Sequence, residues 1–312
     1  MIIPHLTQYD SPHLSKTNTG LGNALFQLFT AYGLSRKYGH DYNFINLLKL
    51  LVKLKQFGLN HSDTIYRNLK FFSKLPENIK VFNEKGYLHS AYDENLVYNI
   101  VKSDENSNLY LRGYLQSHLY FNDYYNDICD LISPDDKSMM IIKSKYQHLF
   151  EKDVLNISTH YRVHWGCGIT FDKDFKFFKD SISYLMSKTK FNEYKSIYIN
   201  IFSDDIARIK EGIISALNID IEVKYIFFEN NEDYIDMWCM SMCHHNILSN
   251  STLSWWGAYI NKNIEKIVIY PNDILRLLGG TVHNTIQVEQ RKYQHYMPEW
   301  IAMETKNVIQ QK

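Results

Sequence analysis

The sequence predicts an α/β fold whose C-terminal half is a Rossmann-like domain built on a parallel sheet, and three observations predict it. From Val154 onward, short β-branched apolar runs alternate with stretches of helical periodicity, the pattern of βαβ crossovers. Several of these runs end in clusters of ionisable or hydroxyl side chains, as strands do where an open α/β sheet meets its ligand crevice. With 312 residues and 45% hydrophobic content, the chain can fill two domains of ordinary size or one large one.

The run Val154 to Thr159 organises the rest, because so short and β-branched a segment is better buried in a sheet than wrapped into a helix. After it the pattern predicts a helix at Phe175 to Lys188, a strand at Ser196 to Phe202, a helix at Ile206 to Leu217 and a strand at Glu222 to Phe228. A helix at Tyr234 to Cys243, a strand at Asn246 to Ser249, a helix starting near Ser254 and a strand at Lys266 to Tyr270 follow, before Pro271. Upstream, Met1 to Leu6 reads as a first strand. TNTGLGN at Thr17 to Asn23 reads as a glycine turn opening an amphipathic helix with Leu25, Leu28, Phe29 and Tyr32 on one face and Gly39 as its C-cap. Asn46 to Phe57 carries apolar residues at helical spacing with lysines opposite, a core-facing helix without chemistry. The polar stretch Asn60 to Asn108 holds a candidate strand at Lys80 to Phe82, with another following at Leu109 to Arg112. Tyr114 to Ile132 reads as a loop and a helix, and Lys137 to Phe150 as a further helix.

Lys plus Arg and Asp plus Glu number 34 each, a formal net charge of zero, which argues against wholesale binding to nucleic acid or anionic membrane. Any anionic ligand must be held locally. The 24 Tyr and 17 Phe suit a sugar-facing cleft as well as ordinary packing. No stretch approaches the roughly 18 apolar residues that span a bilayer. MIIPHLTQYD lacks the basic start and apolar run of a signal peptide, so a cytoplasmic location is expected. Cys129, Cys167, Cys239 and Cys243 make no disulfide framework in a chain of this length, and reduced thiols are expected.

Three strand ends carry candidate chemistry. His160 and Arg162 follow the organising strand. A guanidinium holds two oxygens at once and stays charged at any working pH, so Arg162 suits a phosphate; the competing reading is that Arg162 pairs a nearby carboxylate and His160 is a satisfied semi-buried histidine. Ser203, Asp204 and Asp205 stand where a carboxylate would accept hydrogen bonds from a ribose or a base edge, and where Ser203 or Asp204 would equally cap the helix at Ile206. In NSTLSWWG, Asn250 to Gly257, the hydroxyls of Ser251, Thr252 and Ser254 converge with the amides of a new helix, as an anion site requires; the alternative is a plain cap ahead of a Trp-anchored core helix. Neither GxGxxG nor GxxxxGK[ST] occurs. Cys239, Cys243, His244 and His245 lie in one helical segment, whereas a tetrahedral site normally recruits two segments. Cys239 and Cys243 therefore read as buried thiols, and no metal is assigned.

GLGNALFQ at Gly20 to Gln27, GYLQSHLYF at Gly113 to Phe121, HYR at His160 to Arg162, FSDD at Phe202 to Asp205 and SMCHHNILSNSTLSWWGAYIN at Ser241 to Asn261 together resemble glycosyltransferase family 11. This is the α-1,2-fucosyltransferase family, of general form GGLGNQxFQ, GYFQ, HxRRGDY, SDD and NSTFSWWGAYL. YPND at Tyr270 to Asp273 and PEW at Pro298 to Trp300 add to the likeness. The resemblance implies a GT-B fold, two Rossmann-like domains facing across a cleft. Residues 1–150 would form the acceptor side, 151–290 would bind the nucleotide sugar, and 291–312 would be a tail packing back on the N-terminal domain.

The resemblance further implies a metal-independent, inverting transfer of L-fucose from GDP-β-L-fucose to the 2-hydroxyl of a galactose-type glycan acceptor, with no cofactor beyond the donor. Arg162, the helix N-terminus and the residues Asn250, Ser251, Thr252 and Ser254 would steady the departing diphosphate. Asn23 in the glycine turn would face the same phosphates, Asp204 or Asp205 and His160 match the positions that grip guanine or ribose, and Gly22 and Ser203 are counted with them on the donor side. Two departures stand out. HxRRGDY becomes HYRVHWG, so Val163 replaces the second Arg and the Gly-Asp pair falls on His164 and Trp165; GGLGN becomes TGLGN, with Ala24 in place of Gln. Inversion needs a group to accept the acceptor hydroxyl's proton, or an acceptor that loses it late. His164, Asp172 and Asp174 are the nearest candidates. Three readings stay open: a fucosyltransferase, a GT-B transferase of another nucleotide sugar, and an inactive glycan- or nucleotide-binding relative.

Overall fold

A computed structural model describes residues 2–5, 21–41, 79–83, 92, 94–103, 108–163, 175–216, 222–272 and 292–304. The chain divides into two compact units, one of residues 1–133 with 277–298, the other of 134–276 with 299–312. Residues 134–150, expected in the N-terminal domain, thus fall in the second unit, as do 299–312, expected in a tail on the N-terminal domain. Each unit carries a parallel sheet, so the fold is α/β, of the GT-B type expected. No helix among the described residues is long and apolar enough to cross a membrane.

In the first unit, β1 (Ile2–His5), β2 (Ile79–Asn83) and β3 (Asn108–Arg112) lie in the order β1-β3-β2. Helices α1 (Leu21–Tyr38), α2 (Glu94–Val101) and α3 (Tyr125–Leu131) accompany them. The one-sided burial expected of α1 is not what the structure shows: from Ala24 to Ser35 every side chain is buried. Its polar positions are therefore paired internally, as buried polar groups must be. Gln27 Nε2 donates to the carbonyl of Gly113 at 2.5 Å and Thr30 Oγ1 to that of Leu115 at 3.2 Å. Gly39, at φ +70°, ends the helix in the left-handed conformation, and His40 N–H returns to the Ser35 carbonyl at 2.9 Å. The helix expected over Asn46 to Phe57 lies outside the described residues.

The second unit begins with α4 (Asp136–Lys145) and then alternates: β4 (Val154–Tyr161), α5 (Lys176–Lys188), β5 (Ser196–Ser203), α6 (Ile206–Ala216), β6 (Lys224–Phe227), α7 (Asp233–Ser241), β7 (His245–Ile247), α8 (Thr252–Tyr259), β8 (Val268–Pro271) and β9 (Ile301–Met303). The sheet order is β6-β5-β4-β7-β8-β9. Counted from β4 this is 3-2-1-4-5-6, the doubly wound order of nucleotide-binding sheets.

The two faces of this sheet differ. On one, Leu155, Ile157, Tyr161, Ile197, Ile199 and Ile201 pack with Phe178, Ile182 and Leu185 of α5 and Ile209 and Ile213 of α6, an apolar core. On the other, amides form a ladder. Asn200 Nδ2 donates to Asn156 Oδ1 at 3.0 Å, Asn246 Nδ2 to Ser158 Oγ at 3.1 Å and to the Met240 carbonyl at 2.8 Å, and Asn261 Nδ2 to Asn246 Oδ1 at 2.8 Å. These asparagines are 0–2% exposed.

Cys239 within α7 and Cys243, His244 and His245 after it belong to the same scaffold. Cys239 and Cys243 are buried free thiols, as expected, with both pKa values pushed up by burial. His244 Nδ1 accepts Asn156 N–H at 3.1 Å, and His245 Nδ1 accepts Ile267 N–H at 3.1 Å while its Nε2 meets Thr189 Oγ1 at 3.0 Å.

Helix α8 is anchored by Trp255 and Trp256, 1% and 0% exposed, and it approaches α7 closely at Gly257. A Cβ there would lie 2.7 Å from Met240 Cβ and 3.2 Å from the Met237 carbonyl oxygen. Gly257→Ala gains about 1 kcal/mol of helix propensity but overpacks this contact at a cost of about 1–3 kcal/mol. Chemical denaturation is expected to show a net loss of stability; an alanine variant more stable than wild type would contradict the close packing.

Candidate active site

The three clusters singled out in the sequence stand at the carboxyl ends of β5, β4 and β7, neighbours in that order. The strand order reverses between β4 and β7, which makes their carboxyl ends the switch point where open α/β sheets bind ligands. Register sets the heights: Tyr161 lies opposite Ser203 and Thr159 opposite Ile247.

Arg162 is the first residue past β4. Its Nε lies 3.3 Å from Asp204 Oδ2, and the other oxygen, Asp204 Oδ1, accepts Val163 N–H at 2.7 Å. The carboxylate-pairing reading of Arg162 is thus realised through Asp204. Contact through Nε occupies one edge of the guanidinium. The end fork of Nη1 and Nη2 has no other carboxylate within ion-pair distance among the described residues, and the side chain is 35% exposed.

The three polar residues at the end of β5 divide their work. Asp205 Oδ1 accepts Arg208 N–H at 3.1 Å and so caps α6, a role expected of Ser203 or Asp204. Ser203 Oγ accepts Asp205 N–H at 3.1 Å, closing the turn.

His160 is still within β4 and 3% exposed. Its Nδ1 lies 2.6 Å from Ser249 Oγ, a residue the sequence reading did not single out. The signal for it is topological: Ser249 lies two residues past the end of β7, the strand beside β4. Burial, and then the Arg162 charge, push the His160 pKa down to about 3, against the opposing pull of Asp204. The ring is therefore neutral near pH 7.

Helix α8 starts at Thr252, two residues earlier than expected, with Ser251 at the N-cap but making no side-chain cap bond. The first intrahelical bond is Trp255 N–H to the Ser251 carbonyl at 3.1 Å, so the amides of Thr252 to Ser254 precede it in the first turn. Ser254 is fully buried and its hydroxyl donates to the Ser251 carbonyl at 3.0 Å, which makes it part of the turn. Asn250 Oδ1 is buried with no hydrogen-bond partner among the described residues.

Gly22 and Asn23 lie in the first unit, in the first turn of α1, where Asn23 Oδ1 accepts Gln116 Nε2–H at 2.9 Å. His164 and Asp172, the sequence candidates for proton acceptance, lie outside the described residues, as does Asp174.

A doubly wound parallel sheet with an arginine, a carboxylate and a helix start at its switch point defines an α/β protein with the layout of a ligand-binding sheet edge. The family model for glycosyl transferase family 11 matches residues 74–304, well over half of the chain, and the chain belongs to that family. An Escherichia coli alpha-1,2-colitosyltransferase is 24% identical over 315 residues, covering 91% of this chain and 96% of that protein. The Escherichia coli O-antigen biosynthesis glycosyltransferase WbnK is 41% identical over 76 residues, 23% of each chain. Among solved structures, a point mutant of Arabidopsis thaliana FUT1 in complex with GDP is similar at a TM-score of 0.47 and 12% identity, over 81% of this chain and 69% of that one. Fucosyltransferase NodZ from Bradyrhizobium gives 0.45 and 12%, over 82% and 90%.

The His160 environment sets a pH dependence. Its folded pKa lies below the ordinary value of 6.5, so between the two the unfolded chain holds a proton that the folded chain does not. The stability of the neutral ring is complete above pH 6.5 and is lost as pH falls toward 3. In His160→Asn, the slope of unfolding free energy against pH over this window should be smaller by up to about 1.4 kcal/mol per pH unit. An unchanged slope in urea titrations would contradict the buried neutral assignment.

Proposed function

We propose that the protein is an inverting glycosyltransferase that moves L-fucose from GDP-β-L-fucose to the 2-hydroxyl of a galactose-type unit in a glycan, forming an α-1,2 linkage without a metal or other cofactor. The observation that carries this reading is Arg162, standing at the switch point at the end of β4, the strand beside the one that leads into α8, in a chain of this family. In such a transfer the acceptor oxygen attacks the anomeric carbon from the face opposite the nucleotide. The bond from that carbon to the β-phosphate oxygen breaks, its electron pair leaving with GDP. Stabilisation aimed at this growing charge lowers the barrier more than it tightens donor binding. The Nη1/Nη2 fork can take two phosphate oxygens, and the first-turn amides of α8 add partial positive charge. The buried Oδ1 of Asn250 is an acceptor for a hydroxyl or N–H of the nucleotide sugar. The acceptor's proton passes to a base, for which His164 and Asp172 are the candidates, or leaves late.

A second reading keeps the α-1,2 linkage and changes the sugar. It is favoured by the colitosyltransferase relative, which spans 91% of this chain, and by Val163, His164 and Trp165 in place of the family's Arg-Gly-Asp. Colitose is fucose without its 3-hydroxyl, so matched fucosyl and colitosyl donors separate the two.

The test is kcat in excess EDTA, with both donors, for wild type, Arg162→Lys and Arg162→Ala. Wild type should keep its full rate. Both variants should lose on the order of 10² to 10³ in kcat, about 2.7–4 kcal/mol, with lysine nearly as damaging because it keeps the charge but not the fork. A folded Arg162→Ala protein with the wild-type rate would sink the assignment, and a wild-type rate abolished by EDTA and restored by Mg²⁺ would sink the metal-free mechanism.

A further inference from the structure

We infer that Asp204 is a positioning residue for Arg162 and makes no contact with the nucleoside; the inference rests on the transfer proposed above. Both of its carboxylate oxygens are engaged by the neighbouring strand's end, Oδ1 by Val163 N–H at 2.7 Å and Oδ2 by Arg162 Nε at 3.3 Å. One side chain therefore fixes the backbone where it leaves β4 and the plane of the guanidinium that follows. The reach is short because Tyr161 and Ser203 are register partners, so Arg162 and Asp204 each come one residue later on adjacent parallel strands. Asp204 is the more enclosed of the pair, 16% exposed against 35% for Arg162.

This arrangement matters for rate. A free arginine side chain loses rotamer entropy when it closes on a diphosphate, and a donor group is most effective when it is already in place as charge develops. Here a carboxylate on the Nε edge holds the guanidinium and leaves Nη1 and Nη2 for the ligand. Val163 leaves no second guanidinium in this segment to share that duty. Asp205 is bound as the cap of α6, so the two adjacent carboxylates have separate structural partners. His160 senses the same pair, its pKa lowered by Arg162 and raised by Asp204.

A carboxylate gripping ribose or base and one orienting Arg162 make different predictions for ligands with and without phosphate. The experiment measures kcat, together with calorimetric affinities for GDP and for guanosine, in wild type, Asp204→Ala, Asp204→Asn, Arg162→Ala and the Arg162→Ala/Asp204→Ala double variant. Asp204→Ala should lose about tenfold or more in kcat and weaken GDP binding. Guanosine affinity should stay within about twofold, and the Asp204 change should add no more than about twofold to Arg162→Ala, the non-additivity of residues acting as one unit. Asp204→Asn keeps an acceptor for Val163 N–H and secures the test if the alanine variant does not fold. It should keep guanosine affinity and lose part of kcat. A guanosine affinity that falls as far as that of GDP, or a full additive cost in the Arg162→Ala background, would overturn the inference and make Asp204 a nucleoside contact. Wild-type protein that binds neither GDP nor guanosine would overturn the proposed donor and the inference with it.

Discussion

The site depends on the register of β4 between β5 and β7. Residues on a strand alternate between faces, so a slip of one residue would exchange the two sides of the sheet. In the second unit that exchange is prohibitive. It would drive Asn156 and Ser158 into the apolar core around Ile182 and Ile209 and bring Leu155 and Ile157 against the amide ladder. Buried amides are costly unless fully paired, and here each finds its partner only in the observed register. The ladder thereby fixes the height at which His160, Arg162 and Ser203 reach the carboxyl edge.

The same face carries the polar line toward the site. Asn156, Ser158 and His160 succeed one another along β4, and the last of them meets Ser249 on the β7 side. Beyond the sheet the order passes to charge: Asp204 ties the end of β5 to Arg162 and Val163. Burial keeps His160 neutral, so among the described residues at the end of β4 the positive charge is that of Arg162. The tryptophans of the SWWG segment act from below. They hold α8 in the core, while Gly257 lets it lie against α7.

Much of this was legible in the sequence because the strands of the second unit are short β-branched runs with polar ends. The alternation located β4 to β8 and the three clusters, and the specific motifs located the family. What was missed required tertiary information. Helix α1 was read as one-sided because Gln27 and Thr30 look like surface residues, yet they are buried against carbonyls 85 and 86 positions away. The cap of α6 fell on Asp205 instead of Ser203 or Asp204, since neighbouring capping residues are equivalent in sequence until one is claimed by another strand. Ser249 reads as the plain end of a strand, and its role exists only because β7 lies beside β4. Strand β9, three residues long, is too short to carry a period.

The central claim, that this switch point holds a guanine nucleoside diphosphate, is tested most directly by thermal denaturation in EDTA with GDP, UDP, CDP and dTDP. A ligand present at about 100 times its Kd adds about 2.7 kcal/mol to the folded state, enough to separate the four. The account predicts that GDP raises the melting temperature and that the other three leave it near that of the free protein. Stabilisation by UDP, CDP or dTDP in place of GDP, or by none of them, would contradict it.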